Sequence, residues 1–233
     1  MTHRRDRMRA ATLAEIKQLA RKQMAEQGMA ALSFSAIAEQ MGFTSQALYR
    51  YVPSRDALIT SLVVDACTDL AAAMEAARDA IDPEHDADRL LAVMLAYREW
   101  AVGHPIDYAL IYGKPIPDYR APETVIGPAI QRIPMVVLGL LRTAWLRGRV
   151  TALPEYGPLP AELETQLAAL RHADVSDLPL DLLHTVLVVW SQLHGLITLE
   201  IFEHLHPALG DFGALYRFEA RTLLKRVGLH PKA

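Results

Sequence analysis

Aromatic side chains are scarce in this chain, 7% of 233 residues, and β-branched runs are few while alanine and leucine are plentiful. Sheets are built largely from β-branched and aromatic residues, so a helical protein is expected over a sheet protein. Cysteine is nearly absent. The single thiol, Cys67, has no partner for an intrachain disulfide and sits in an apolar periodic run, which fits a buried, inert group in a reducing compartment. No apolar stretch approaches the roughly 18 uninterrupted residues of a membrane span, so no membrane partner is expected. The opening MTHRRDRMRA is basic but leads into EIKQLARKQ and not into an apolar core. It therefore does not read as a signal peptide, and the expected location is the cytoplasm.

Signatures of catalysis are missing as well. There is no Gly-rich phosphate loop, no Gly-x-Ser-x-Gly elbow and no Cys/His arrangement, so an enzyme is not expected. Nine histidines include no His-x-x-x-His pair, and His194 and Glu200 differ by six residues, about 240° around a helix. Neither His184, His194, His204 and His206 nor the neighbouring glutamates have ligand spacing, so no metal and no cofactor are expected.

What is present is an uneven charge. Residues 1–60 hold nine Lys+Arg against five Asp+Glu, a net +4, while the remainder holds 15 against 22, a net −7. A basic head on an acidic body suits a protein in which the head alone faces phosphate.

Periodicity and punctuation predict nine to ten helices. The first runs over about 9–27, with Leu13, Ile16, Leu19, Ala20 and Met24 at amphipathic spacing and Gly28 as its stop. Ser33 caps a second through Gln40, Gly42 supplies a left-handed turn, and Thr44 caps a third to about Tyr51. Pro53 ends that helix, and Ser54 with Asp56 opens a long fourth helix to about Ala80. Further helices are expected at 86–102, 105–112, 161–171, 179–205 and 211–227. Pro128 and Pro134 leave open whether the segment 123–149 is kinked or begins only after the second proline. GKPIPDYRAPE and TALPEYGPLP read as loops.

Two short helices joined by a glycine turn make a helix-turn-helix. Ile37, Ala38, Met41, Phe43 and Leu48 have the spacing to pack inward, which leaves Thr44, Ser45, Gln46, Ala47, Tyr49, Arg50 and Tyr51 to touch something outside. Spacing alone also permits an ordinary α-hairpin with a solvated face, in a helical interaction or scaffold protein without DNA.

The stretch ALSFSAIAEQMGFTSQALYRYVPSRDAL resembles the DNA-binding segment of TetR/AcrR-type transcriptional regulators. It has the Ile-Ala pair, the Met-Gly-Phe turn, Ala-Leu-Tyr, a further aromatic, Pro-Ser, a basic residue and Ala-Leu. The resemblance implies an all-α protein with a three-helix DNA-binding domain at 9–56, a basic arm at 1–8, and a ligand-binding and dimerisation domain at 57–233. It also implies a regulator, expected to be a repressor, that leaves a palindromic double-stranded operator when a small, largely hydrophobic effector binds.

By the same resemblance, Thr44, Ser45, Gln46 and Ala47 approach bases, Tyr49 and Tyr51 lie against phosphate and sugar, and Arg55 anchors a phosphate, with Arg50 beside them. Ser35 stands where many members carry arginine, so the bracing helix contributes less; Val52 stands for a common phenylalanine. HPIDYALIYG and VVWSQLHGLITLEIF resemble the regulatory domain of a subgroup named for a Trp…His-Gly motif, carried here by Trp190, His194 and Gly195.

Met94, Tyr97, Trp100, Tyr108, Met135 and Trp190 are each ordinary core residues taken singly, but together they are candidates for an effector cavity, with the proline-broken segment 115–134 as its entrance. His194 joins them as a hydrogen-bonded residue of the core. Leu182, Val186, Val189, Leu193, Leu215, Phe218 and Leu223 exceed what two terminal helices need for one core, so they are expected to form a homodimer interface.

Overall fold

Ten α-helices and one 3-10 turn, with no strand, make up the described residues of the computed structural model, namely 2–114, 116–153, 156–170, 175–204 and 210–232. The helices are α1 Thr2–Gln27, α2 Phe34–Gln40, α3 Ser45–Tyr49, α4 Arg55–Asp79, α5 Asp86–Gly103, α6 Pro105–Tyr112, α7 Glu123–Leu146, α8 Ala161–Ala169, α9 Leu180–Ile201 and α10 Phe212–Arg226. The 3-10 turn is Met29–Ala31. His206 and the loop residues 154–155 lie outside the described residues.

The chain forms two compact units. One comprises Met1–Asp69 and His104–Ile130, the other Leu70–Gly103 and Gln131–Ala233. In the first unit, hereafter the head, Ile16, Ala20 and Met24 of α1 are buried with Ile37, Ala38, Leu48, Leu58, Ile59 and Leu62. Two ion pairs fasten α1 to its neighbours: Lys17 Nζ meets Asp65 Oδ2 of α4 at 2.7 Å, and Arg21 Nε meets Asp107 Oδ1 of α6 at 2.7 Å. Thr60 and Tyr119 join α4 to the loop after α6 through their hydroxyls, 3.0 Å apart.

The second unit packs α5 against α9 and α10, and α8 against α9. Its polar fastenings are ion pairs between distant parts of the chain. Asp86, 2% exposed, accepts from Arg147 at 2.8 Å and from Arg149 at 3.0 Å, which binds the end of α7 to the start of α5. Arg98 of α5 donates to Glu200 of α9 from Nε at 2.8 Å, and Arg132 pairs with Glu75. Tyr216 of α10 donates to the Met94 carbonyl oxygen at 2.9 Å.

Two expectations change, and a third is qualified. Helix α1 begins at Thr2, so residues 2–8 of the basic arm extend the first helix beyond its expected start at about 9. Helix α7 runs unbroken from Glu123 through both prolines to Leu146; each proline removes one backbone donor, yet the turns on either side continue. Finally, Arg55–Asp79, Glu123–Leu146 and Leu180–Ile201 are long and apolar enough, by length and composition, to cross a membrane. Polar or charged residues interrupt each of them, so none is an uninterrupted apolar run of about 18 residues. Their burial inside the protein is 50%, 28% and 28% of the most apolar window, so α7 and α9 keep apolar faces that their own chain leaves uncovered.

Candidate nucleic-acid interface

The geometry of the head follows from local hydrogen bonding. The Ser33 hydroxyl accepts from the Ala36 amide at 3.4 Å and opens α2. At the other end the Phe43 amide donates to Ala38 O at 2.8 Å and the Gly42 amide to Glu39 O at 3.0 Å. This pair of bonds is a Schellman closure, and it needs the left-handed φ of 66° that Gly42 adopts without a Cβ penalty. The Thr44 hydroxyl then accepts from the Ala47 amide at 3.2 Å and opens α3. Cap, turn and cap set the angle between α2 and α3.

Gln23 is a brace that the sequence reading passed over. It is 3% exposed, and its Oε1 accepts from the Ser33 amide at 2.9 Å, locking the start of α2 to α1. The available signal was a polar residue standing in the apolar stripe of α1, beside Met24.

So held, α3 turns Leu48 into the core, fully buried, and leaves Thr44, Ser45, Gln46, Tyr49 and Arg50 exposed, with Ala47 and Tyr51 half-buried. Tyr49 is 51% exposed although its ring lies 5.2 Å from Phe34, so its hydroxyl end projects from an anchored ring. Tyr51 stacks on Phe43 at 6.1 Å. Arg9 caps this corner: its guanidinium lies 5.5 Å over the Tyr51 ring and donates to the Arg50 carbonyl oxygen at 3.1 Å. The cap bond of Thr44 uses one acceptor position and leaves its O–H free to donate outward. The surface thus offers an amide, two hydroxyls, a phenol and a guanidinium on one short convex element, the mixture needed to reach base edges and phosphates together.

Two further residues of the expected DNA-contacting set make bonds within the head. Ser35 is exposed and its hydroxyl pairs with Ser33 at 2.9 Å. Arg55 is half-buried, and its guanidinium spans to the carbonyl oxygens of Leu32 and Ala30, each at 3.4 Å. It therefore helps hold the entry to α2, a structural duty the sequence reading did not foresee.

Of the candidate effector residues, the second unit brings Tyr97, Trp190 and His194 together. Tyr97 Oη and His194 Nδ1 are 2.6 Å apart, and the Trp190 and His194 rings stack at 4.7 Å. Burial holds the His194 imidazole below its ordinary pKa. Met94 and Trp100 are buried in the same unit and Met135 is half-buried, whereas Tyr108 belongs to the head and packs on Tyr112 at 5.2 Å. None of the seven lines the cleft of about 280 Å³ formed by Leu153, Tyr156, Asp181, His184 and Thr185, or the one of about 450 Å³ beside His85, Asp88 and Lys232. Among the described residues, no group of three or more His, Cys, Asp or Glu is placed to hold a metal ion.

The expected dimer residues are also redistributed. Leu182, Leu193 and Leu223 are at most 4% exposed within the protomer, Val186, Val189 and Leu215 are half-buried, and only Phe218 stands well out, at 66%. The exposed apolar residues of α9 are instead Leu187, Trp190 and Leu199, followed by Phe202. Helix α9 is apolar nearly all round, and of the stripe chosen from the sequence its own unit buries Leu182 and Leu193 and half-buries Val186 and Val189.

A capped helix-turn-helix of α2 and α3, braced by α1 within the head, together with a larger helical unit, defines a DNA-binding transcriptional regulator. Residues 16–62 match the model of bacterial regulatory proteins of the tetR family, and residues 90–223 match the tetracyclin repressor-like C-terminal domain. The chain belongs to the TetR family.

Among curated proteins it is 32% identical over 219 residues to the HTH-type transcriptional regulators Mb1846 of Mycobacterium bovis and Rv1816 of Mycobacterium tuberculosis, covering 93% of this chain and 92% of each relative. A crystal structure assigned as a regulatory protein, SCO4313, shares 32% identity and a TM-score of 0.75 over 94% of this chain and 98% of that one. RolR, solved with its ligand resorcinol, has a similar fold at 18% identity, with a TM-score of 0.52 over 96% of this chain and 91% of that one.

Proposed function

We propose that this regulator is a repressor that sits as a homodimer on an operator of two half-sites in the cytoplasm and leaves it when a small, largely apolar effector binds. The observation that carries the DNA contact is the exposed face of α3, where Gln46, Tyr49 and Arg50 project from a helix anchored by Leu48. In this reading Gln46 chooses bases, with Thr44, Ser45 and Ala47 beside it, while Tyr49, Arg50 and Tyr51 grip the backbone. Two α3 helices reach successive major grooves when they lie about 34–36 Å apart or a multiple of that. An effector acts by favouring a state with another separation, and a tenfold loss of operator affinity needs about 1.4 kcal/mol of coupling.

The effector is expected in the second unit, where Met94, Trp100 and Trp190 supply apolar surface and the Tyr97–His194 pair supplies a polar handle. The resorcinol of RolR is a compound of the size and character proposed. The dimer face is expected to centre on Leu187, Leu199, Phe202 and Phe218, which the protomer leaves exposed.

The test is a binding titration on a duplex selected from a random library by the wild-type protein, alongside a scrambled duplex. Gln46→Ala is expected to shrink the ratio of the two affinities, and Tyr49→Ala to weaken both about tenfold or more. Full binding by the combined Gln46→Ala, Tyr49→Ala variant would refute the assignment of α3. Light scattering near the 25.9 kDa protomer mass would refute the dimer.

A further inference from the structure

We infer that the cleft of about 450 Å³ in the second unit binds a free α-amino acid with an apolar side chain, and that the end of the chain itself, residues 230–232, fills the polar clamp of that cleft until the ligand displaces it. The inference goes beyond both the DNA contact and the apolar effector, since none of the residues assigned to either lines this cleft.

The clamp is visible in how the tail is held. The Lys232 amide donates to Asp88 Oδ1 at 2.7 Å, and Arg221 Nη1 donates to the Lys232 carbonyl oxygen at 2.7 Å. One carboxylate and one guanidinium thus grip the nitrogen and the carbonyl group of a single residue. A free α-amino acid carries its nitrogen and its carboxyl group on one Cα, at the same covalent spacing. It offers the same atoms to the same two side chains, but each end is now charged, ammonium toward Asp88 and carboxylate toward Arg221. Hydrogen bonds between two ionised groups are shorter and stronger than those to a neutral amide. Each contact therefore improves when the ligand replaces the tail.

The floor of the cleft sets the side chain. Asp88, Leu91, Ala92 and Leu95 stand at i, i+3, i+4 and i+7 on α5, so the acid and three apolar residues share one face of the helix. Ile81 adds to this floor from the turn after α4. Leu91 is buried, while Ile81, Ala92 and Leu95 are half-buried, so the cleft retains apolar surface for a ligand to cover. An apolar hollow of this size with a few convergent polar groups suits a small molecule.

The tail is placed to let go. Leu229 is 2% exposed and its amide donates to Leu224 O at 2.9 Å, which fixes the chain up to that point. Beyond it His230 and Lys232 are exposed and Pro231 is half-buried. Besides the two clamp bonds, Lys232 Nζ donates to His85 Nε2 at 3.0 Å. Release of the tail breaks these three bonds and uncovers no buried side chain, so it is a local opening at a chain end.

The experiment titrates the full chain with L-leucine by calorimetry. Three controls accompany it: glycine, which lacks the side chain, and N-acetyl-L-leucine and L-leucinamide, each of which lacks one charge. Leucine is expected to bind, and each control to bind at least about tenfold more weakly. Asp88→Asn and Arg221→Gln are each expected to weaken leucine binding about tenfold or more. Lys232→Pro has no amide proton to give Asp88 and so opens the clamp. It is expected to bind leucine about tenfold more tightly, because apparent affinity rises with the fraction of molecules whose site is open.

A tail with a purely structural role gives no such gain. In the wild type the NMR signal of the Lys232 amide is expected to move, as leucine is added, to the position of an unbound chain end. Absence of both heat and spectral change in the wild type and in Lys232→Pro overturns the inference. So does equal affinity for leucine and leucinamide, or wild-type affinity in Lys232→Pro. Each of these outcomes leaves the role of α3 standing, which the duplex titrations decide.

Discussion

The helix-turn-helix of the head and the second unit are both helical, but they are specified by different means. Helices α2 and α3 are seven and five residues long, too short to persist alone, and they are defined by Ser33, Gly42 and Thr44, each acting within five residues of itself. The second unit is fastened by Asp86 with Arg147 and Arg149, by Arg98 with Glu200 and by Arg132 with Glu75, partners 57 to 102 residues apart in sequence. The local bonds that define α2 and α3 leave the outer face of α3 free to be chosen for what it touches, while the rest of the head is tied over longer range by Lys17–Asp65 and Arg21–Asp107. A bundle specified by long-range pairs holds its shape through contacts that an effector, entering among the helices, would have to rearrange.

Removing a charge from the second unit should therefore cost most. Asp86→Ala removes the buried carboxylate and leaves Arg147 and Arg149 only Glu84 and main-chain oxygens as partners, so it is expected to destabilise the protein by about 2 kcal/mol, below the cost of a fully stranded buried charge. Chemical denaturation measures this. A loss below about 1 kcal/mol would mean that water reaches the site and the clip is an ordinary surface pair.

The cap at α3 should cost less. Thr44→Ala removes one acceptor from an exposed helix start, worth about 1 kcal/mol, and the structure gives the hydroxyl no other protein partner to strand. Its effect on operator binding should exceed its effect on stability, because α3 loses its fixed angle as well as an outward donor. If Thr44→Ala lowers stability as much as Asp86→Ala does, the contrast between local and long-range fastening fails.

The same contrast explains what could be read from sequence. The caps of α2 and α3, the turn at Gly42 and the inward set led by Ile37 and Leu48 were all legible, because each signal lies beside the feature it controls. The start of α1 was misplaced because Thr2–Met8 has neither a cap nor an apolar stripe to announce a helix; its tie to the fold, Arg9 on Arg50 and Tyr51, spans about 40 residues. The unbroken course of α7 through Pro128 and Pro134 was left open, since the penalty is local and the compensation is not.

Which residues of α9 stay exposed was not legible for a related reason. Periodicity shows which residues share a face of α9, but where both faces are apolar only the neighbouring helices decide that Leu182, Leu193 and Ile197 turn in while Leu187 and Leu199 turn out. Cys67 needed no such neighbour: an apolar run alone announced its burial, which pushes the thiol up to about 11.

The smallest expected effect comes from His194, and it sharpens the account of the second unit. Burial lowers the pKa of the imidazole in the folded protein, so the neutral ring is the form that stacks with Trp190 and shares a hydrogen bond with Tyr97. Above the unfolded value, about 6.5, both folded and unfolded chains carry a neutral ring and His194 contributes no pH dependence. As pH falls through that value the unfolded chain takes up the proton first, so stability declines, and it goes on declining until the folded ring also protonates.

His194→Gln keeps a hydrogen-bonding group toward Tyr97 while removing the titration. Its stability should therefore fall less than that of the wild type between pH 7.5 and pH 5.5, ranges set by the ordinary histidine value, with the two curves differing by a constant above pH 7. Equal slopes across that range in denaturant titrations would show that the ring is already solvated in the folded protein. The Tyr97–His194–Trp190 cluster would then be an open rim of the unit, and the effector handle would have to be sought elsewhere.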